Sequence, residues 1–452
     1  MAKKKQIELT IEEKLQNALV PKEEQPYKIP NNWCWVRLES INKYKSETLN
    51  PKNAMEKMFE LYSVPSFDNK YPEILIGKDI GSNKYIVKKN DILLCKINPR
   101  INRVWQVYQH TNFGQICSSE WIVIRNEILN KSFLRYYFTS EYFRNRLCEN
   151  VSGVGGSLTR AKPKLVQLYE VPLSPINEQQ RIVNIIESLF AKLDRAKELI
   201  ENTLAQFEQN KMAILHKAFI GELTAKWRKE NNIDLSSWQE KTIDELCTSL
   251  KYGTSKKSNP EGSVVVLRMG NLQNGEIDWS NLMYTDDKDD IEKYLLKKGD
   301  VLFNRTNSPE LVGKTSIYRG EYPAIYAGYL IKLDYGKDII GEYLNYMMNS
   351  TKAKHYCYTV KTDGVSQSNI NAKKIGAFEI PVPTIEEQQE IVNILDKLLA
   401  KYNKIKNLEQ QLEKIELLKK AILAKAFRGE LGTNNPDEES AENLLKEILA
   451  EK

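Results

Sequence analysis

The sequence has little of the side-chain chemistry that many enzymes use. Its three histidines, His110, His216 and His355, show no metal-binding spacing, and its six cysteines are scattered without a Cys-x-x-Cys pair. Neither a zinc site nor a disulfide framework is therefore indicated. The pattern favours buried free thiols in a reducing compartment.

Long apolar segments are also missing. No run approaches the roughly 20 residues that a membrane helix needs, and residues 1–5 (MAKKK) lead into polar sequence rather than an apolar signal core. We therefore expect a soluble, cytoplasmic protein that does not contact a membrane. The net charge of only +6 over 452 residues permits nucleic-acid binding but does not demand it.

Two motifs of nucleotide chemistry are incomplete or lacking. Gly313-Lys-Thr315 looks like the end of a phosphate-binding loop, but the first glycine of that motif would fall at Ser308. The Asn/Asp-Pro-Pro-Tyr/Phe run of adenine methyltransferases does not occur. The sequence thus predicts neither ATP hydrolysis nor methyl transfer, and we assign no catalytic residue, no metal ligand and no cofactor to this chain.

What the sequence does contain is a long internal repeat. Residues 170–184 (EVPLSPINEQQRIVN) return as residues 379–393 (EIPVPTIEEQQEIVN), an offset of 209 (379 − 170). Such self-similarity divides one long chain into two versions of one unit. At this length each unit can bury a core of its own.

Each repeat continues into a predicted coiled-coil helix, because apolar residues recur at alternating steps of four and three. The predicted seam of the first helix is Ile182, Ile186, Leu189, Leu193, Ala196, Ile200, Thr203, Phe207, Asn210 and Ile214. That of the second is Ile391, Leu395, Leu398, Tyr402, Ile405, Leu408, Gln411, Ile415, Leu418 and Ile422, with a one-residue shortening near Ile405. Gly221 and Gly429 are placed to end the helices, and Thr384-x-x-Glu387 predicts a capping box at the second start.

The bodies that precede these helices are β-rich and open at Trp33 and Trp238. A Lys-Lys-(Asn/Gly)-Asp turn leads into a strand in each, within residues 85–94 and 294–303, and helical patterns follow at residues 133–146 and 343–355. Short amphipathic helices after Thr10 and Ser440 are expected to dock on the long helices or on a partner.

The predicted fold class is α+β, with two pseudo-repeated α/β domains joined by a pair of long antiparallel coiled-coil helices. The predicted segments are an N-terminal helical segment (1–30), a first domain (31–175), a central helix (176–223), a second domain (224–384), a distal helix (385–431) and a C-terminal tail helix (432–452).

Polar loops occur at matching places in both bodies and are candidates for binding DNA. Arginine, asparagine and glutamine can bond to base edges in the major groove, small hydroxyl groups to phosphates, and lysines can neutralise the backbone. The candidates in the first body are Lys96, Asn98, Arg100, Asn102, Arg103, Ser157, Thr159, Arg160, Lys162 and Lys164. Those in the second are Asn304, Arg305, Asn307, Lys314, Ser366, Gln367, Ser368, Asn369 and Lys373. Any single one of them could equally be part of a solvated turn, and the recurrence in both bodies is what favours a shared role.

Two motifs occur twice, Pro-x-x-x-x-x-Glu-Gln-Gln-x-Ile-Val and Ala-Phe-x-Gly-Glu-Leu, and a tryptophan opens each body. With these features the chain resembles the specificity subunit of type I restriction-modification systems over nearly its whole length. The resemblance implies that the two bodies are target-recognition domains, each reading one half of a split site in double-stranded DNA. It also implies two modification subunits that use S-adenosylmethionine, and restriction subunits that use ATP and Mg²⁺.

Two other hypotheses stay open at this point. The chain could be a coiled-coil scaffold that assembles partner enzymes without reading bases. A fused enzyme acting alone is the third possibility, which the missing methyltransferase motif disfavours.

Overall fold

The computed structural model describes residues 9–152, 159–400 and 405–451. It divides into two compact units, one formed by Met1–Leu199 with Gln410–Lys452 and the other by Ile200–Glu409. Each unit thus contains one body and a part of each long helix. In the described ranges, we find no helix with the length and apolarity that crossing a bilayer requires.

The first unit carries strands at its body and helices at both chain ends. Its helices are α1 (Ile11–Ala18), α2 (Leu38–Ile41), α3 (Lys131–Thr139), α4 (Glu141–Glu149), α5 (Pro163–Val166), the first part of α6 (Ile176–Phe219), the last part of α14 (Ile405–Phe427) and α15 (Ala441–Ala450). Its strands are β1 (Cys34–Arg37), β2 (Thr48–Leu49), β3 (Met58–Tyr62), β4 (Glu73–Ile76), β5 (Lys84–Ile86), β6 (Ile92–Cys95), β7 (Val104–Gln106), β8 (Gly114–Cys117), β9 (Trp121–Ile124), β10 (Val151–Ser152), β11 (Arg160–Ala161) and β12 (Glu170–Leu173).

The second unit has the remaining elements. Its helices are the rest of α6, α7 (Ala225–Glu230), α8 (Ile243–Leu246), α9 (Lys288–Tyr294), α10 (Gly341–Met348), α11 (Thr351–Val360), α12 (Ala372–Gly376), α13 (Ile385–Leu399) and the start of α14. Its strands are β13 (Gln239–Thr242), β14 (Cys247–Tyr252), β15 (Val264–Leu267), β16 (Leu272–Gln273), β17 (Glu276–Ile277), β18 (Tyr284–Thr285), β19 (Val301–Asn304), β20 (Thr306–Asn307), β21 (Thr315–Ile317), β22 (Ala324–Tyr326), β23 (Leu330–Tyr335), β24 (Thr362–Asp363), β25 (Ser368–Asn369) and β26 (Glu379–Val382).

The same sheet scaffold occurs in both bodies. Strands β7-β6-β9 form an antiparallel sheet in the first, and β14-β23-β19-β21 form its counterpart in the second. The pairing of Ile92 with Ile124 corresponds to that of Val301 with Leu333, each residue shifted by the repeat offset of 209. The pairings β6–β9 and β19–β23 therefore have the same register, whereas β21 pairs with β19 two residues further along than β7 pairs with β6.

The predicted Lys-Lys-(Asn/Gly)-Asp turns are confirmed. Asn90 and Gly299 hold a left-handed backbone at φ 76° and 96°, which these two residue types tolerate best. The carboxylate of Asp91 accepts a hydrogen bond from the Lys88 amide at 2.8 Å, and Asp300 accepts one from Lys297 at 2.9 Å. This closed turn sets the start of β6 and of β19.

The helical patterns predicted at residues 133–146 and 343–355 each form two helices, α3 with α4 and α10 with α11. Ser140 lies between α3 and α4 in an extended conformation, and its hydroxyl accepts a hydrogen bond from the amide of Phe143 at 3.3 Å. Ser350 does the same between α10 and α11, accepting from Ala353 at 3.3 Å. Each serine caps a new helix and so interrupts a continuous apolar pattern.

The long helices pack antiparallel within each unit, as predicted. In the first unit Lys197 pairs with Glu416 at 3.0 Å and Asp194 with Lys419 at 2.5 Å, so positions on α14 rise as those on α6 fall. In the second unit Thr224, which follows the end of α6, bonds to Glu387 at the start of α13. Helix α6 has 44 residues, or about 66 Å at the α-helical rise.

The seam of α14 differs from the predicted one. Ile415 is 5% exposed, but Leu418 is 50% exposed and Gln411 also faces solvent. Leu412 and Lys419 are half-buried instead, and Lys419 lies over the ring of Phe190 at 5.4 Å. A lysine stem thus covers apolar surface where the sequence pattern favoured a leucine. The predicted shortening near Ile405 lies outside the described side chains.

The two terminal helices form as predicted. Thr10 and Glu13 make a complete capping box on α1, and the Ser440 hydroxyl caps α15. Both helices pack against each other and enter the core of the first unit, which also holds the long-helix residues Ile182 and Phe427.

Candidate nucleic-acid interface

The repeated Glu-Gln-Gln motif fastens each body to its long helix. Glu178 is fully buried and accepts hydrogen bonds from Trp33 Nε1 at 2.7 Å, Asn434 Nδ2 at 3.0 Å and Thr433 Oγ1 at 3.1 Å. The carboxylate joins the opening strand of the body to the segment that follows the other long helix.

Glu387 has the same role in the second unit. It accepts from Trp238 Nε1 at 2.9 Å and Thr224 Oγ1 at 2.6 Å, and it forms an ion pair with Arg228 at 2.6 Å. Thr384 caps α13 by accepting from the Glu387 amide at 3.3 Å. The reciprocal half of the predicted capping box is absent, because the Glu387 carboxylate is engaged with these three side chains.

The glutamine after each of these glutamates both accepts from and donates to main-chain groups. Gln179 accepts from the Asn130 amide at 3.0 Å and donates to the Ser174 carbonyl at 2.9 Å. Gln388 accepts from Ile340 and donates to Pro383, both at 2.9 Å. The helices that follow these contacts, α3 and α10, are thereby held at fixed positions on the long helices.

In the first body, the loop after β6 pairs with the segment just before the long helix. Ile97 forms a β-bridge with Arg160, the Asn98 amide donates to the Thr159 carbonyl, and the Ala161 amide donates to Lys96, both at 2.8 Å. The two stretches of candidate residues, far apart in sequence, therefore form one surface. Ser157 lies outside the described residues.

The second body repeats this pairing at positions shifted by 209. Thr306 pairs with Asn369 and Asn307 with Ser368, and the Ile370 amide donates to the Arg305 carbonyl at 2.8 Å. The loop that leads to the next strand has ten residues, 305–314, against eight, 96–103, in the first body. The backbone pairing of the two surfaces is equivalent, whereas their loops differ in length and composition.

Several polar atoms on these two surfaces are buried without a hydrogen-bond partner. They are Asn98 Oδ1, Asn102 Oδ1 and Arg103 Nε in the first body, and Asn304 Nδ2 and Arg305 Nε in the second. Leaving such groups unpaired is unfavourable, typically by about 1–3 kcal/mol each. Apart from Asn304, which faces the interior, these atoms belong to half-buried residues of the two loops.

The cations of the two loops are also uncompensated. Among the described residues, no acidic group lies within ion-pair distance of Lys96, Arg100, Arg103, Arg305 or Lys314. Arg125, on the same sheet, is by contrast paired with Asp91 at 2.7 Å. Burial lowers the pKa of Lys314, whose ammonium donates to Gln273 Oε1 at 2.9 Å. Unpaired positive charge beside unpartnered amides suits a polyanion.

Other candidates have protein partners or face solvent. Asn304 and Ser368 are fully buried, and the Ser368 hydroxyl donates to Asp363. Asn102 donates to the Thr139 carbonyl, and Asn307 accepts from the Ser308 amide. The exposed candidates are Arg100, Arg160, Lys162, Lys164, Ser366, Gln367 and Lys373.

Two residues beside these surfaces were not predicted from the sequence. Glu120 pairs with Arg160 at 3.2 Å in the first body. In the second, Tyr252 lies under the Arg305 guanidinium with 4.9 Å between the ring centre and the guanidinium carbon. Both are distant in sequence from the residue that they contact, so no local motif marks them.

Each unit has one of two equivalent polar surfaces and its own antiparallel segments of the long helices, which defines a class of proteins built from two copies of one unit. Comparison with known families narrows that class. The model of the type I restriction modification DNA specificity domain matches twice, at residues 30–206 and 236–417. The chain belongs to this family, and the resemblance found in its motifs is confirmed.

Individual relatives agree with the family match. The EcoKI specificity subunit of Escherichia coli K12, a type I restriction enzyme component, is 29% identical over 399 residues, 84% of each chain. The StySPI specificity subunit of Salmonella potsdam is 27% identical over 358 residues, 75% of each chain.

Solved structures show the same fold. A chain solved in work on assembly and conformational transition of the type I R-M system has a TM-score of 0.70 at 22% identity, covering 90% of this chain and all of that one. The HsdS subunit of Thermoanaerobacter tengcongensis reaches 0.50 at 22% identity, with the same coverage. The predicted fold class is confirmed by this similarity and by the helix packing in each unit.

Proposed function

We propose that this chain is the DNA-reading subunit of a type I restriction-modification complex, in which each body reads one half of a bipartite site. The observation that carries the proposal is the pair of equivalent loops, whose cations have no acidic partner among the described residues and which carry side-chain polar atoms without a hydrogen bond. The scaffold alternative does not account for them, since a protein that only joins partners gains nothing from uncompensated charge at equivalent loops.

The antiparallel helices set the distance between the half-sites in this proposal, and they provide the surface on which two modification subunits dock. Two pseudo-equivalent readers on one duplex are best related by a near two-fold axis, which requires antiparallel helices. In this proposal the segments predicted from the sequence have separate roles: residues 31–175 and 224–384 read DNA, and residues 176–223 and 385–431 form the long helices. The chain itself does no chemistry in this scheme: the modification subunits bind S-adenosylmethionine, and restriction subunits with ATP and Mg²⁺ complete the complex in the cytoplasm.

Selection from a random pool of double-stranded DNA tests this proposal, using the chain with its modification subunits at physiological salt. We expect enrichment of two short motifs separated by a fixed gap of unspecified sequence. Arg100→Ala should weaken the preference at one motif only, and Lys226→Ala, an exposed cation paired with Glu230 on α7, should leave both unchanged. Enrichment of no motif, with retention of all DNA alike, would support the scaffold instead.

A further inference from the structure

Arg305 is held in one orientation by the second unit before any ligand is present. Its guanidinium lies over the Tyr252 ring at 4.9 Å, and its Nη2 donates to Asn369 Oδ1 at 3.1 Å. Its main chain is fixed as well, since its amide donates to the Tyr329 carbonyl at 3.1 Å. The position of the guanidinium and one of its N–H groups are therefore determined by the protein.

The two side chains that hold Arg305 are themselves anchored. The Tyr252 hydroxyl accepts from the Ala372 amide at 2.9 Å, and Tyr252 pairs with Ile331 on the neighbouring strand β23. Asn369 uses its Nδ2 to donate to Thr306 Oγ1 at 2.8 Å. Both polar atoms of the Asn369 amide are thus engaged within the protein, so that this residue positions Arg305 and does not itself read a base.

The held guanidinium has donors to spare. A guanidinium carries five N–H groups, of which Asn369 takes one, and the Nε of Arg305 is buried without a partner. Arg305 forms no ion pair with any acidic group among the described residues. A planar donor set of this kind is matched by two adjacent acceptors, and among base edges in the major groove guanine offers that pair in O6 and N7.

The equivalent place in the first body is built differently. Position 96 carries a lysine, whose ammonium is a point charge without a planar donor edge. Position 160 carries an arginine, exposed and paired with Glu120 at 3.2 Å, where the second body has Asn369. The held arginine therefore belongs to the second reading surface alone.

We infer that Arg305 reads a guanine in the half-site bound by the second body, and that Tyr252 and Asn369 are the positioning residues that aim it. This inference rests on the proposed function and adds to it one base and the side chains that select it. Because the guanidinium is already oriented, little side-chain entropy is lost when the base is bound.

The test uses the chain with its modification subunits and competition binding on the selected duplex. Each guanine of the second half-site is replaced in turn. One replacement should weaken binding of the unchanged protein by about 5- to 150-fold, the range for a bidentate contact. In the Arg305→Ala variant, replacing the same guanine should not weaken binding any further. With Arg305→Lys the charge stays and affinity is largely kept, but discrimination at this position should be lost.

The positioning residues are tested on the same duplexes. Tyr252→Leu and Asn369→Ala should reduce discrimination at this one guanine, whereas Tyr252→Phe, which keeps the ring, should preserve most of it. Arg319→Ala is the matched control, since Arg319 lies in the same body but is paired with Glu276 at 2.8 Å. Unchanged recognition of the first half-site shows in each case that the variant is folded.

Two results would overturn the inference: a second half-site without guanine, or full guanine discrimination in both Arg305 variants. These results are separable from failure of the proposed function. If the unchanged complex selects no bipartite site, the proposed function fails, whereas a bipartite site that ignores Arg305 refutes only the inference.

Discussion

Glu178 and Glu387 occupy the same place in the two repeats, but among the described residues only Glu387 forms a direct ion pair, with Arg228. Arg228 is 8% exposed, so its buried charge is compensated by that carboxylate. Glu178 is bound by a tryptophan, a threonine and an asparagine instead. Equivalent residues therefore hold the two bodies with different electrostatics.

Glu387→Gln should consequently destabilise the second unit more than Glu178→Gln destabilises the first. Removing the charge that pairs with buried Arg228 costs about 3 kcal/mol. Glu178→Gln replaces one carboxylate oxygen, a hydrogen-bond acceptor, by an NH2 group, which is a donor. This change costs about 1 kcal/mol, because the Thr433 hydroxyl can turn to accept a hydrogen bond from that group. Urea denaturation of each variant measures the difference, and equal losses would show that Arg228 contributes nothing through this pair.

Sequence alone located the two candidate loops at the residue scale, because the repeat offset links Lys96 with Arg305 and Arg160 with Asn369. It did not find Tyr252 or Glu120, which come from elements distant in sequence and carry no motif. Burial was not predictable either: Asn304 and Ser368 have the composition of a binding loop, yet both face the interior.

At the scale of elements, the period of apolar residues predicted the long helices but not every residue of their seam. In the described part of α14, the seam includes Leu412 and Lys419 in place of the predicted Gln411 and Leu418. Hydrophobicity favours leucine over lysine, so a pattern search selects Leu418. The structure buries the lysine stem because its ammonium reaches Asp194 at the rim.

The seam of α14 is testable with two alanine substitutions three residues apart. Ile415→Ala should cost about 2–4 kcal/mol, since the side chain is 5% exposed and its removal leaves a cavity. Leu418→Ala should cost less than about 0.5 kcal/mol, because that side chain is 50% exposed. Urea denaturation of the full chain gives both values, and a larger cost at Leu418 would restore the seam predicted from the sequence.

Short helices were harder to predict than long ones. The apolar pattern runs without a break through Ser140 and through Ser350, so it did not mark where one helix ends and the next begins. A serine within such a pattern is compatible with the helix interior and with an N-cap, and the choice depends on how the flanking helices pack. In both bodies the serine is an N-cap, and the tertiary contacts of α4 and α11 favour this position over the helix interior.

At the scale of the whole molecule, we propose that the two bodies select the base sequences of the half-sites. The long helices set the distance between the half-sites. Four residues inserted after Ala196 lengthen one helix by about 6 Å, which corresponds to between one and two base pairs of duplex. A four-residue insertion also keeps the apolar seam nearly in phase, so the pair can absorb it by a local change of winding.

Methylation-sensitive sequencing of a host that carries the active complex, with and without this insertion, tests the central claim most directly. The account predicts one bipartite motif for the unchanged protein, and the same two halves with an altered gap for the insertion variant. A motif whose halves change while the gap stays constant, or a single uninterrupted motif, would contradict it.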